Sequence, residues 1–208
     1  MEYEKARDRL ADRLERRYDL EARVAEAIRT VPRHLFVPEE HRERAYADRP
    51  LPIGHDQTVS APHMVAVMAD HLDLTAGEAV LEIGTGCGYH AAVTAELVGA
   101  EHVYSVEYVR DLAEDARTTL SDAGYGDVSV RHGDGHDGWP EHAPYDAAYL
   151  TCATGQLPDA VLEQTRTGGR VLAPVGDLAQ ELVLARVRED GIKRERLGGV
   201  RFVPMQGE

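Results

Sequence analysis

Val80-Leu81-Glu82-Ile83-Gly84-Thr85-Gly86-Cys87-Gly88-Tyr89 is a buried-type apolar run that ends in a glycine-rich turn and leads into a helical pattern starting near Tyr89. Glycines at 84, 86 and 88 allow a tight turn and let a ligand approach the backbone where a Cβ would collide. The spacing is G-x-G-x-G, not the G-x-G-x-x-G of dinucleotide sites. With Glu82 two residues ahead of the first glycine, it suits a nucleoside ligand without a pyrophosphate better than NAD. Such a turn alone is often only a tight strand-to-helix connection, so its weight comes from what surrounds it.

Downstream, strand-like runs alternate with helical ones: Ala79 to Ile83, His102 to Glu107, Val128 to Arg131, Asp146 to Leu150, Arg170 to Val175, Glu181 to Arg188 and Val200 to Pro204. This alternation predicts an α/β fold, an open and mostly parallel seven-stranded sheet with helices on both faces. The Glu189 to Gly199 segment is too short for a helical crossover, so the last two runs are expected to form a C-terminal antiparallel hairpin.

Two further acids fall at strand ends. Glu107 closes the second run, where a carboxylate accepts hydrogen bonds from both hydroxyls of a ribose; alone it would read as a solvated acid. Asp134 lies in Gly133-Asp134-Gly135 after the third run, an acceptor beside an expected adenine with Gly135 keeping the backbone open; alone it would read as a turn cap. Three polar positions at the carboxyl ends of successive strands converge on one crevice, the place where open α/β sheets bind ligands.

The N-terminal third is different. Leu10, Leu14, Leu20, Val24 and Ile28 recur at helical spacing among dense charges, predicting one or two amphipathic helices. From Val31 to Pro62, prolines at 32, 38, 50, 52 and 62 interrupt any long helix, in a stretch too apolar for a flexible linker. It reads as a pinned, irregular cover. A helix resumes near Met64 and runs to His71. Ser60, before Ala61-Pro62, reads on capping preferences as the N-cap of that helix.

Composition limits the rest. The chain has 208 residues, enough for one sizeable core, so a single domain is expected over 1–208, with 1–63 as helices and cover and 64–208 as the ligand-binding core. Its 23 Lys and Arg against 37 Asp and Glu give a net charge of −14, which argues against a cationic nucleic-acid groove. Only Lys5 and Lys193 are lysines, a balance that suits a salt-rich, halophilic cytoplasm where screening removes self-repulsion. Cys87 and Cys152 form no CxxC pair, in keeping with a reducing compartment. No apolar run approaches the roughly 20 residues of a membrane span, and the start of the chain lacks a signal-peptide core. A soluble, cytoplasmic monomer is expected. No metal site is expected either: His132 and His136 bracket a loop, His55 and His63 flank another segment, and no HxxxH on a helix or Cys/His pairing appears.

Beyond the glycine turn, longer segments carry a resemblance. Val31-Pro32-Arg33-His34-Leu35-Phe36-Val37-Pro38 and Pro50-Leu51-Pro52-Ile53-Gly54-His55-Asp56-Gln57-Thr58-Val59-Ser60-Ala61-Pro62-His63-Met64 are similar to the VPRxxFVP and PLPIGxxQTISAPHM segments of the protein-L-isoaspartate O-methyltransferases. Further matches are Ala143-Pro144-Tyr145-Asp146, Gly168-Gly169 and Val200-Arg201-Phe202-Val203-Pro204. The resemblance implies a Rossmann-like class I methyltransferase that moves a methyl group from S-adenosylmethionine to the free α-carboxylate of L-isoaspartyl and D-aspartyl residues in damaged proteins and peptides, releasing S-adenosylhomocysteine. It implies Ser60 as the active-site residue orienting that carboxylate. Gln57, Thr58 and Val59, with Glu82, Gly84, Thr85, Gly86, Cys87, Gly88, Glu107, Asp134 and Gly135, would hold the cofactor. Ser60, His63 and Thr151 would lie on the substrate side.

The sequence departs from the family at Val59 for isoleucine, at Cys87 for serine or threonine, and in Thr151-Cys152-Ala153-Thr154-Gly155, normally alanine-rich. That last loop leaves open a paralogous enzyme acting on another peptide or protein carboxylate. A non-catalytic cofactor-binding module would be expected to lack Ser60 or the glycine turn. The G-x-G-x-G turn and the QTVS segment count against a nucleotide-sugar or NAD enzyme.

Overall fold

The structure, a computed structural model, describes residues 2–207. Helix α1 (Glu2–Tyr18) buries Leu10, Ala11 and Leu14 along one stripe, with Glu2 and Glu4 in its first turn and Arg16 and Arg17 in its last, each sign at the dipole end it stabilises. A left-handed Asp19 (φ 52°) breaks it from α2 (Ala22–Thr30), which buries Val24, Ala25, Ala27 and Ile28. The proline-rich cover is more regular than its composition suggests. It contains 3₁₀ turns at Arg33–Leu35 and Glu39–Arg44 and a two-stranded ribbon, β1 (Leu51–Gly54) against β2 (Gln57–Val59).

Helix α3 (Pro62–Leu72) begins with proline at its first turn, where the missing N–H costs nothing. Its N-cap is Ala61, without a side-chain cap, so Ser60 does not cap it. Asp48 does that work from a distance, its Oδ1 accepting the His63 backbone N–H at 2.9 Å.

The main sheet runs β5-β4-β3-β6-β7-β8-β9. Strands β3 (Val80–Ile83), β4 (Val103–Glu107), β5 (Ser129–His132), β6 (Tyr145–Leu150) and β7 (Thr165–Val175) are parallel, and β8 (Gln180–Arg188) and β9 (Gly191–Val200) are antiparallel additions. The first six strands lie where the sequence puts them, within a few residues. The last does not. The hairpin closes over Glu189-Asp190, and β9 occupies the charged stretch read as a connection, while most of the Val200 to Pro204 run is irregular and bridges to Ala153.

Strand alternation sends side chains to two packed clusters. One holds Val80, Val103, Ala147 and Tyr149 beneath α1, α2, α3 and α4 (Tyr89–Val98); the other holds Leu81, Ile83, Val106 and Leu150 against Val161 and Leu162 of α6 (Asp159–Glu163). Helix α5 (Arg110–Asp122) packs on β4 and β5. The strand order reverses between β3 and β6, and crevices form at such a point.

Candidate active site

The carboxyl ends of β3, β4, β5 and β6 open on one cavity, at the place where open α/β sheets bind small molecules. Its floor is the turn after β3. Gly84, Gly86 and Gly88 all take positive φ, and a Cβ on Gly88 would stand 2.9 Å from Leu120 Cγ, so the turn requires glycine for both conformation and space. Glu107 fixes the turn: Oε2 accepts the Gly86 N–H at 2.8 Å and Oε1 the Val109 N–H at 2.9 Å. Each oxygen keeps a further lone-pair direction for a ribose hydroxyl. Gly135 follows β5, and a Cβ there would strike Ile83.

Gln57, Thr58, Val59 and Ser60 bring the ribbon to this cavity, and Gly84, Thr85, Gly86, Cys87, Glu107, Gly135 and Thr151 complete the expected residues that line it. Burial pushes the Cys87 thiol up to about 11, so it faces the cavity as a neutral group. A second cleft adjoins, lined by Ser60, His63, Met64, Leu178, Arg201 and Phe202 among others. Thr58, Ser60 and Thr151 border both spaces and mark where they meet. The Ser60 hydroxyl has no hydrogen-bond partner among the described residues, whereas Thr151 Oγ1 donates to the Gly84 carbonyl at 2.5 Å and braces the turn. His63 is held by Asp48, Nδ1 to Oδ1 at 2.8 Å, with its ring stacked on Tyr18 at 5.6 Å.

Three expected residues stay outside the cavity lining. Gly88 is the positive-φ residue that opens α4. Asp134 accepts hydrogen bonds from the backbone and ring nitrogens of His136, the turn role its position allowed. Glu82 is the clearest correction: alternation along β3 puts it on the face of Val80, beneath α4, where it is fully buried. Its Oε2 accepts from Ser105 Oγ at 2.5 Å and its Oε1 from Tyr149 Oη at 2.9 Å, so it braces the strands under the turn.

That burial has a measurable consequence. Desolvation pushes the Glu82 carboxyl from its usual 4.5 up to about 8, against the bonds from Ser105 and Tyr149. The folded protein therefore holds a proton that the unfolded chain releases, and this contribution to stability is full below about 4.5 and lost as pH rises through about 8. Urea midpoints measured without ligand are expected to fall across that window, and Glu82→Gln is expected to flatten the fall. An unchanged slope in the variant would assign the pH dependence to other groups.

Several contributors had no expected part in the site. His90, on the first turn of α4, lines the cavity with both ring nitrogens buried and unpartnered. Ile53 and Tyr108 add apolar wall, and residues 203–206 close one side, pinned by Ala153 N to Val203 O at 2.8 Å and Met205 N to Ala153 O at 2.7 Å. Arg33, fully buried, donates to the carbonyls of Ala45 (2.5 Å), Arg49 (3.3 Å) and Ser60 (3.1 Å) and lies 5.5 Å from the Tyr89 ring centroid. No cluster of three or more His, Cys, Asp or Glu side chains suited to a metal ion occurs among the described residues.

A bare-backbone turn after β3, a carboxylate at the end of β4 and an open cavity at the strand-order reversal define the chain as a class I methyltransferase. The sequence model of the protein-L-isoaspartate(D-aspartate) O-methyltransferase family matches residues 5–208. The chain is 52% identical over 210 residues to protein-L-isoaspartate O-methyltransferase 2 of Archaeoglobus fulgidus, covering 100% of this chain and 96% of that one. A solved protein-L-isoaspartate O-methyltransferase superposes with a TM-score of 0.88 at 30% identity over 97% of this chain, which spans 66% of that longer one. A solved Plasmodium falciparum protein described as a protein-L-isoaspartate O-methyltransferase in complex with S-adenosyl-L-homocysteine shares the fold, with a TM-score of 0.85 at 24% identity over 96% of this chain and 98% of that one. The chain belongs to the protein-L-isoaspartate(D-aspartate) O-methyltransferase family.

Proposed function

We propose that this chain methylates the free α-carboxylate of L-isoaspartyl and D-aspartyl residues in damaged proteins and peptides, using S-adenosylmethionine and releasing S-adenosylhomocysteine. The observation that carries the reading is Ser60, which stands with an uncommitted hydroxyl where the nucleoside cavity meets the second cleft. The residues present fit the cofactor: Glu107 has lone pairs left for a ribose, and glycine backbone lines the turn. The cofactor, when bound, supplies the activated methyl group.

The chain's own part is chiefly positional. A carboxylate is ionised at neutral pH and needs no strong base, so its alignment decides the rate. Ser60 donates to that carboxylate and holds it at the junction. Thr151 keeps the Gly84 carbonyl in place, and Asp48 fixes the His63 ring in the substrate cleft. Transfer removes one negative and one positive charge, so the cover from Val31 to Pro62 favours it by excluding water. On this reading residues 1–63 form the substrate-side cover of a cofactor-binding core at 64–208.

The test is transfer of labelled methyl from S-adenosylmethionine to two synthetic peptides that differ only in L-isoaspartyl or L-aspartyl at one position. Base-labile label on the isoaspartyl peptide alone is expected. Cofactor binding without label on either would move the substrate to another carboxylate, the outcome that the altered Thr151–Gly155 loop would then explain.

The net charge of −14 with two lysines supports a working environment rich in salt. Screening shortens the range of repulsion among exposed carboxylates, so unfolding is expected to be slower in molar KCl than in dilute buffer. Faster unfolding in KCl would remove that part of the reading.

A further inference from the structure

The substrate cleft beside Ser60 has few charges on its wall: among the described residues lining it, only His63, Asp177 and Arg201 carry or can carry one. His63 is bonded through Nδ1 to Asp48 Oδ1 at 2.8 Å, so the Asp48 carboxylate offsets any charge on that ring. Arg201 is therefore the one permanent, uncompensated cation of the wall. Its side chain is exposed and makes no hydrogen bond, ion pair or ring contact with any described residue.

The backbone that carries this cation is fixed although the side chain is not. On one side Val200 pairs with Gln180 across β8 and β9. On the other, the Gln180 side chain clamps Phe202, its Oε1 accepting the Phe202 N–H at 2.6 Å and its Nε2 donating to the Phe202 carbonyl at 3.1 Å. Val203 is held in turn, its carbonyl accepting the Ala153 N–H at 2.8 Å. The guanidinium thus swings from a fixed point on the cleft wall, within reach of one stretch of whatever the cleft receives.

Charge and placement together define its partner. A net charge of −14 repels an anionic peptide, which approaches most favourably where the wall is positive. The reacting carboxylate is not that partner. It must reach the junction of the two spaces, where Thr58, Ser60 and Thr151 stand, whereas Arg201 lines the second cleft alone. Val203 borders both spaces and lies two residues from Arg201, a separation of at most about 7 Å along the backbone. An extended peptide covers that distance in about two residues. We propose that Arg201 is a specificity-determining residue, pairing with an acidic side chain one or two positions from the isoaspartyl residue and so favouring substrates with an acidic flank. The assignment rests on the carboxylate-methylation reading above and adds to it the sequence context of the substrate.

Methylation rates of synthetic isoaspartyl peptides in dilute buffer provide the test. Each peptide carries Glu, Gln or Lys at one of the positions within two residues of the isoaspartyl group, and the proteins are the full chain, Arg201→Gln and Arg201→Glu. An exposed ion pair of ordinary strength is expected to raise kcat/KM for the best-placed Glu peptide about two- to fivefold over its Gln counterpart, through KM and not kcat. Arg201→Gln should erase the preference. Arg201→Glu should transfer it to Lys at the same position, a reversal that lost packing does not produce. Molar KCl should shrink the preference of the unaltered chain. Melting temperature and S-adenosylhomocysteine affinity should stay unchanged in both variants, since the side chain bonds to no described residue and lines no part of the nucleoside cavity. Equal rates for Glu and Gln at every position, or a preference that survives in Arg201→Gln, overturns the proposal. Should the unaltered chain label none of the peptides, the methylation reading fails and this inference with it, whereas labelling that is indifferent to flanking charge removes this inference alone.

Discussion

Ser60→Ala is expected to lower kcat for isoaspartyl methylation by about 10²-fold while S-adenosylhomocysteine affinity stays within about threefold of the unaltered chain. The separation follows from where the side chain sits. Its backbone borders the nucleoside cavity, which the substitution leaves in place, and its hydroxyl is the only part lost. That hydroxyl neither caps α3, whose N-cap is Ala61, nor has any other hydrogen-bond partner among the described residues. Alanine therefore strands no buried group, and the melting temperature should change little. A carboxylate lacking its orienting donor still carries its charge, so the loss falls on alignment and appears in kcat more than in cofactor binding. Single-turnover rates with isoaspartyl peptide, beside calorimetry with S-adenosylhomocysteine, measure both. A variant of full activity would place substrate orientation elsewhere, with Thr58 and Thr151 as the remaining hydroxyls at the junction. A variant that loses cofactor binding in proportion to activity would return Ser60 to a purely structural part.

How far the sequence could be read depended on whether burial left a pattern in it. Most strands from Val80 to Arg188 carry apolar residues buried on at least one face, and their positions could be read directly from that pattern. β9 has almost no buried face: Ile192-Lys193-Arg194-Glu195-Arg196 is exposed and pairs only with β8, so a charged edge strand looked like a loop. Val200 to Pro204 has the reverse problem. Its apolar residues face the substrate cleft and the loop at Ala153, so burial by a site imitated burial in a sheet. Glu82 was misread because an acid before a glycine turn looks like a ligand group, although its parity with Val80 already pointed it under α4. The Gln57 to Ser60 segment, Glu107 and Gly135 could be expected at one cavity because their position at a strand end or a turn is local in sequence, and they line it together. His90 and Arg33 could not be. Their parts depend on neighbours brought from Tyr149, Ala45, Arg49 and Ser60, and no spacing within the sequence encodes those meetings.

Arg33 supports the second large effect. Its guanidinium is fully buried with no carboxylate bonded to it, and burial lowers its pKa, so the charge is held chiefly by the carbonyls of Ala45, Arg49 and Ser60 and the face of Tyr89. Those carbonyls belong to three separate points of the cover, and this one side chain ties them to α4. Arg33→Met keeps much of the apolar stem and removes every donor, leaving the buried Ala45 carbonyl and the partly exposed carbonyls of Arg49 and Ser60 without this partner. Against that stands relief from burying a charge, which often makes an apolar replacement less costly than the bonds suggest. The lost bonds win here, because methionine offers none of the carbonyls a substitute, the Ala45 carbonyl lies in a buried residue, and three points of the cover lose their common tie. The expected net cost is about 3 kcal/mol, a fall in melting temperature of roughly 6–12 °C for a chain of this size. Activity should fall further than stability accounts for at a temperature where the variant remains folded, since the Ser60 carbonyl loses its tether and the hydroxyl its fixed position. S-adenosylhomocysteine affinity should fall less, because Glu107 and the glycine turn hold their geometry independently of the cover. Thermal unfolding, calorimetry and single-turnover kinetics on one preparation test the ordering of the three losses. Cofactor affinity lost ahead of activity would mean that Arg33 supports the nucleoside cavity and not the position of Ser60.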